Sequence, residues 1–163
     1  MGTVFEQALE IVFKHEGVLS DDVLDKGGLT KYGISSRAYP DVDIRALTKE
    51  QAGDIYYRDY WRSSKAHLIS SPEVATLVFD IAVNSGVRNS GYMVQRAILA
   101  HGTSISLDGL VGRNTLAEIN NIGNRLLPTL ISERVGFYKR IVARSPSQKR
   151  FLKGWLRRAY SFA

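Results

Sequence analysis

The sequence predicts an all-α, mainly helical protein forming a single compact domain, with a small irregular or β-hairpin lobe after the first helix. Three observations carry this expectation. Apolar residues recur at three- and four-residue spacing through most of the chain, helix-starting and helix-stopping residues bracket those stretches, and the segment 18–40 is rich in Gly and Asp and lacks that period. A chain of 163 residues buries roughly 68–70% of its unfolded surface, enough to fold without staples.

The first helix is expected over 4–16. Thr3 and Glu6 form a capping box, Phe5, Ala8, Leu9, Val12 and Phe13 share one face, and Gly17 stops the turn. The lobe follows. Thr48 and Gln51 cap a second helix reaching Trp61, and Ser71-Pro72-Glu73 supplies an N-cap, a first-turn proline and an early acid for a third. The third helix is apolar nearly all round, with Val74, Leu77, Val78, Phe79 and Ile81 among its residues, the pattern of a central buried helix. Asn84-Ser85-Gly86 ends it. Further helices are expected over 91–101, 114–121, 124–144 and 147–160, with Gly102, Gly109, Gly112 and Pro146 as punctuation, and Pro128 bears on where the 124–144 helix starts. A composition shift near 86–90 sets the expected boundary between a region 1–88 and a region 89–163.

Composition removes whole classes of chemistry. With no cysteine there are no disulfides, thiolate nucleophiles or Cys-ligated metals. His15, His67 and His101 are far apart and do not form the two-His helical spacing of a catalytic zinc site. Phosphate-cradling glycine loops and the Gly-x-Ser-x-Gly nucleophile turn are likewise missing from the sequence, so nucleotide and serine-hydrolase readings have no motif behind them. Carboxylates remain, and no metal or organic cofactor is expected. The net charge of +6 is uneven: from Glu133 to Ala163 there are nine Lys/Arg against one acid, which points to an anionic partner for the C-terminal part. The opening residues carry no basic segment of a secretory signal, and no apolar run is long enough to span a bilayer.

One carboxylate stands out. Glu16 follows Phe13 by three residues and Val12 by four, so it shares their apolar stripe in the last turn of its helix. The negative end of the helix dipole and the withheld solvent both oppose ionisation there, the environment a proton-donating acid needs. The alternative is a surface Glu on a frayed turn, paired with Lys14 or Lys26. Asp25 and Thr30 lie downstream in the Gly-rich lobe, and a lobe folded back onto the helix end brings all three together. Two carboxylates flanking a glycosidic bond, one protonated and one ionised, hydrolyse sugars without metal.

The strings Lys14-His15-Glu16-Gly17-Val18 and Asp25-Lys26-Gly27-Gly28-Leu29-Thr30-Lys31-Tyr32-Gly33-Ile34 resemble the N-terminal signature of glycoside hydrolase family 108, the bacterial and phage N-acetylmuramidases. The likeness continues through Ile55-Tyr56, Tyr60-Trp61 and Phe79-Asp80-x-Ala82-Val83-Asn84-Ser85-Gly86. The second half is similar to the peptidoglycan-binding region that accompanies this family, through Val94-Gln95-Arg96-Ala97, Asp108-Gly109-x-Val111-Gly112, Arg134-x-x-Phe137-Tyr138 and Gly154-Trp155. Val18 departs from the pattern, which usually has a second Gly after the acid. The resemblance implies a lysozyme-like fold in which 1–88 is the catalytic region and 89–163 a helical peptidoglycan-binding-like region with a basic last helix. It implies Glu16 as catalytic acid. Asp25 and Thr30 take the second role, since the Glu-Asp-Thr order is also similar to that of the phage-type lysozymes, in which Asp and Thr position the attacking water; on that likeness the reaction inverts. The expected activity is cleavage of the β-1,4 bond between N-acetylmuramic acid and N-acetylglucosamine, as a phage or prophage endolysin held in the host cytoplasm until released to the periplasmic wall. A lytic transglycosylase is the alternative of like chemistry; a non-catalytic module for wall or nucleic acid is the alternative of another class.

Among other residues, Tyr32 and Tyr60 are candidate sugar contacts, whereas the helical spacing of Tyr56 and Trp61 favours packing. Asp80 and Asn84 lie one turn apart on an otherwise apolar helix and must face something polar. For Asn84 substrate is a candidate; for Asp80 an internal hydrogen-bond network is favoured. Asp108-Gly109 is expected to form a turn, since a calcium loop needs acids at alternating positions. In the tail, cations alternate with Phe151, Leu152, Trp155 and Leu156, giving an amphipathic helix that packs its apolar side and presents its basic side to solvent or to an anionic envelope surface. Peptidoglycan is the expected partner, with no specific nucleic acid, and the protein is expected to be a monomer.

Overall fold

The structure, a computed structural model, describes residues 3–17, 19–20 and 28–163. Its elements run α1 (Val4–Glu16), β1 (Leu19–Ser20), β2 (Thr30–Lys31), β3 (Ile34–Ser35), α2 (Lys49–Tyr56), α3 (Pro72–Ser85), α4 (Val87–Ala100), α5 (Arg113–Ile122), α6 (Leu126–Arg144) and α7 (Lys149–Tyr160). The mainly helical class with a small β lobe is the one the sequence predicts. Where one compact domain is expected, the chain resolves into two compact units, Met1–Trp61 and Arg62–Ala163, each with its own set of buried apolar side chains.

In the first unit the helix starts are chemical. Thr3 Oγ1 accepts the Glu6 N–H at 3.1 Å while the Glu6 carboxylate accepts the Thr3 N–H at 3.2 Å, and Thr48 and Gln51 reproduce the exchange at 3.1 and 2.9 Å. Each cap contributes about 1 kcal/mol. Helix α1 ends at Gly17, whose φ of 77° is open to glycine and whose N–H reaches the Phe13 carbonyl. The expected reach of the second helix to Trp61 holds only in part. After Tyr56 the backbone widens into a π-helical turn, Tyr57–Arg62, a local form that recurs at functional sites. The lobe is a three-stranded antiparallel sheet in the order β1-β2-β3, with Thr30 opposite both Ser20 and Ser35.

In the second unit, Ser71 caps α3 by accepting the Val74 N–H at 3.1 Å. Helix α4 begins at Val87, four residues before the expected start. Gly86, at φ 96°, is the single residue between two helices, so the polar run 88–90 forms a first turn instead of a linker. Gly91 of α4 lies so close to the following loop that a Cβ there would stand 2.0 Å from the Gly109 carbonyl oxygen. The loop is also tied to α4 by Gln95, whose amide accepts from the Asp108 and Gly109 N–H groups and donates to Asp108 Oδ1 and the Leu110 carbonyl. Asp108-Gly109 is thus an anchored turn, as expected. Pro128 is the third residue of α6, inside the first turn, where backbone N–H groups have no intrahelical partner to lose.

Asp80 is fully buried on α3. Its carboxylate accepts from Arg134 Nη2 of α6 at 2.8 Å and from Arg158 of α7 through Nε at 3.0 Å and Nη2 at 2.9 Å, a two-pronged pairing. Arg134 Nε donates onward to the Tyr138 hydroxyl at 2.9 Å, which donates to Asn84 Oδ1. The internal network expected for Asp80 therefore exists, and two of the nine cations counted in the tail are committed to it. The apolar side of α7, with Leu152, Trp155, Leu156 and Ala159, meets Val135 and Tyr138 of α6. Trp155 stacks on Tyr138 with centroids 5.1 Å apart. Removing one partner of a buried ion pair costs about 3–5 kcal/mol because the other charge stays uncompensated. Asp80→Ala is accordingly expected to lower unfolding free energy by about that amount in urea titration; an unchanged midpoint would show that the network holds nothing together.

Candidate active site

Glu16 is the last residue of α1 and is partly buried. What meets it is the hairpin turn between β2 and β3. Tyr32 and Gly33 both take positive φ, 53° and 80°, as a two-residue type I′ turn requires of its central residues. Glycine fits this position freely; tyrosine does not. Gly33 lies against the acid itself: a Cβ on it would stand 3.0 Å from both Cβ and Cγ of Glu16 and 2.2 Å from the Tyr56 hydroxyl. That hydroxyl donates to the Tyr32 carbonyl at 2.8 Å, holding the strained turn in place. A non-glycine residue in the left-handed region beside a candidate acid is the kind of outlier that marks functional sites.

Aromatic rings continue from this point. Phe13, one turn before Glu16, lies 5.6 Å from the Tyr32 ring and 5.8 Å, edge-on, from Tyr56; Tyr56 in turn lies 5.7 Å from Tyr60. The middle of this run, Phe13 and Tyr56, is buried, while Tyr32 and Tyr60 at its ends are partly exposed. Tyr56 and Trp61 pack, as their spacing predicts. Tyr57, in the turn that follows, is more exposed than Tyr32 or Tyr60, at 41%. The π-helical turn adds a polar pair. Tyr39 donates its hydroxyl to Asp59 Oδ2 at 2.7 Å, and Arg58 Nε reaches Asp59 Oδ1 at 2.7 Å. Hydrogen bonding from Arg58, with that from Tyr39, holds the Asp59 carboxyl below the usual carboxylate range against an opposing desolvation; burial first, then the Asp59 bond, pushes the Tyr39 phenol up.

Of the remaining candidates, Thr30 lies in β2, two residues before the turn that meets Glu16. Asp25 and Val18 lie outside the described residues. Asn84 belongs to the second unit, where its amide oxygen accepts from Tyr138. Among the described residues no group of three or more His, Asp or Glu side chains is placed to hold a metal ion. The Tyr39–Asp59–Arg58 cluster escapes sequence reading because Tyr39 and Asp59 are twenty residues apart and no local period links them. Gly33 is visible as part of a motif, but its role as the surface against which Glu16 rests is a tertiary fact.

The close approach makes a prediction. Gly33→Ala is expected to cost about 1–3 kcal/mol of stability through positive φ and overlap. Tyr56→Phe removes the hydroxyl that the new methyl would strike, so the double variant should lose less than the sum of the singles in a urea-denaturation cycle. Additive losses would mean that the turn does not press on Tyr56.

The comparisons with known proteins follow the same division of chemistry. Residues 9–86 match the family model described as Glycosyl hydrolase 108, and residues 89–160 match a model described as Predicted Peptidoglycan domain. The solved structure of Brucella abortus SagA is similar to this chain at 28% identity with a TM-score of 0.79, covering 97% of this chain and 90% of that one. The comparison with curated proteins finds no match. No helix among the described residues is long and apolar enough to cross a membrane. A match to a glycosyl hydrolase 108 model over 9–86, followed by a match to a predicted peptidoglycan domain over 89–160, supports a peptidoglycan-acting hydrolase.

Proposed function

We propose that the protein is an N-acetylmuramidase that hydrolyses the β-1,4 bond between N-acetylmuramic acid and N-acetylglucosamine, acting as a phage or prophage endolysin on the bacterial wall. The observation that supports this reading most is the seating of Glu16: a carboxyl at a helix C-terminus, backed by the Gly33 turn and flanked by partly exposed aromatic rings. In this reading the region 1–88 is catalytic and 89–163 holds the polymer.

Glu16 donates its proton to the leaving glycosidic oxygen. Asp25, with Thr30, orients and activates a water on the opposite face of the sugar, so the product inverts at the anomeric carbon; that geometry needs carboxyl groups roughly 6.5–9.5 Å apart. Tyr32 and Tyr60 offer ring faces to pyranose C–H surfaces and hydroxyls to their edges. Asn84, its oxygen engaged by Tyr138, offers its amide N–H groups as a further glycan contact.

The rival of like chemistry, a lytic transglycosylase, also begins with a proton from a carboxylic acid but closes an anhydro ring in place of adding water. Digestion of purified peptidoglycan in ¹⁸O-water, read by mass spectrometry of the released muropeptides, separates the two. Reducing N-acetylmuramic ends carrying one solvent oxygen are the expected outcome. Anhydro-muramic ends without label would transfer the assignment to the transglycosylase, and binding with no release would leave a wall-binding module.

A further inference from the structure

A groove of about 510 Å³ runs between α4 and α6. One face of each helix builds it. Asn89, Tyr92, Met93 and Arg96 follow one another at helical spacing on α4, and Phe137, Arg140 and Arg144 do so on α6. Met93 is buried at 2% exposure, Tyr92 and Phe137 are partly buried, and the three arginines are exposed. No acidic side chain lines the groove.

The arginines of this unit have two fates. Arg134 and Arg158 are consumed by Asp80, and Arg88 donates to the Asp108 carbonyl. Among the described residues, no ion pair or hydrogen bond engages the guanidinium groups of Arg96, Arg140 and Arg144. Three planar cations around an apolar floor recognise carboxylates by paired N–H donors while the floor takes small aliphatic groups. The other large cleft of this unit, about 690 Å³, mixes Arg113 with Asp108 and Glu118 and has no such preference.

We infer that the α4/α6 groove binds the stem peptides of peptidoglycan, its arginines pairing with the peptide carboxylates and its Met93, Tyr92 and Phe137 surface meeting the alanine methyls. The inference deepens the peptidoglycan reading above and rests on it, and every groove residue falls within the 89–160 match. Stem peptides are chosen over uncharged glycan by charge complementarity, because N-acetylated sugar rings give a guanidinium nothing ionic to pair with. The arrangement separates the two tasks of the enzyme: the acid works on the glycan bond, and the arginines hold the peptide branches.

Calorimetric titration of the full-length protein with the free tripeptide L-alanyl-γ-D-glutamyl-diaminopimelate tests this. Binding that falls at least roughly tenfold in Arg140→Ala/Arg144→Ala, and is kept by the charge-matched Arg113→Ala/Lys139→Ala, is the expected result, with thermal melts confirming that both variants fold. The tripeptide with its carboxylates converted to amides, and a chitin hexamer, should not compete. Equal binding by wild type and the groove variant, or no binding by wild type, would overturn the inference, as would inorganic phosphate displacing the peptide at equal or lower concentration, which would assign the groove to a phosphate-bearing polymer. Peptide binding is read without any cleavage, so failure of the muramidase reading shows as missing product ends and failure of the groove shows here.

Discussion

A carboxylate taken out of water on an apolar helix dictates how the rest of its unit must be assembled. Asp80 is surrounded by the core of α3, where a lone ionised acid would be prohibitive, and two cations separated from it by 54 and 78 residues in sequence are brought to meet it. Satisfying it fixes which face of α6 turns toward α3 and where the last turn of α7 must end. Such clusters add little net stability compared with well-packed apolar side chains. Their effect is selection: any register of α7 that misplaces Arg158 leaves the acid half-paired. With α7 pinned, its apolar side, Ala159 included, covers Val135 and Tyr138 of α6, and the remaining basic residues are left outside.

In the first unit a backbone contact plays the corresponding part. Glycine at 33 lets the hairpin turn come within van der Waals reach of Glu16 and of the Tyr56 hydroxyl, and the bond from that hydroxyl to the Tyr32 carbonyl keeps tyrosine in a conformation it rarely takes. A two-residue turn, one buried phenol and one helix terminus together limit where the carboxyl can point. Preorganisation of this kind matters to an acid catalyst because the proton must be delivered along one line to the leaving oxygen.

Much of this was legible in the sequence, and the reasons differ by element. Helix α1 can be read to the residue because capping box, apolar stripe and stopping glycine agree. The start of α4 cannot: the signals around Gly86 describe a break, and only packing decides that the break is one residue long. Glu16 stands out because position alone marks it, on an apolar stripe at a helix end. Asp80 is equally conspicuous, yet no pattern names Arg134 and Arg158 as its partners. Nor does charge counting separate the two buried tail arginines from those on the surface. The groove formed by α4 and α6 is invisible for the same reason, since its two rows of side chains meet only after the helices pack.

The central claim is that one carboxyl at the end of α1 supplies the proton for glycan cleavage. Glu16→Gln keeps the shape and the contact with Gly33 while removing the proton donor. The account predicts that this variant, folded and still retained by purified peptidoglycan, releases soluble muropeptides at least about a hundredfold more slowly than wild type, the scale of general acid catalysis. Release at the wild-type rate by the Glu16→Gln protein would contradict it.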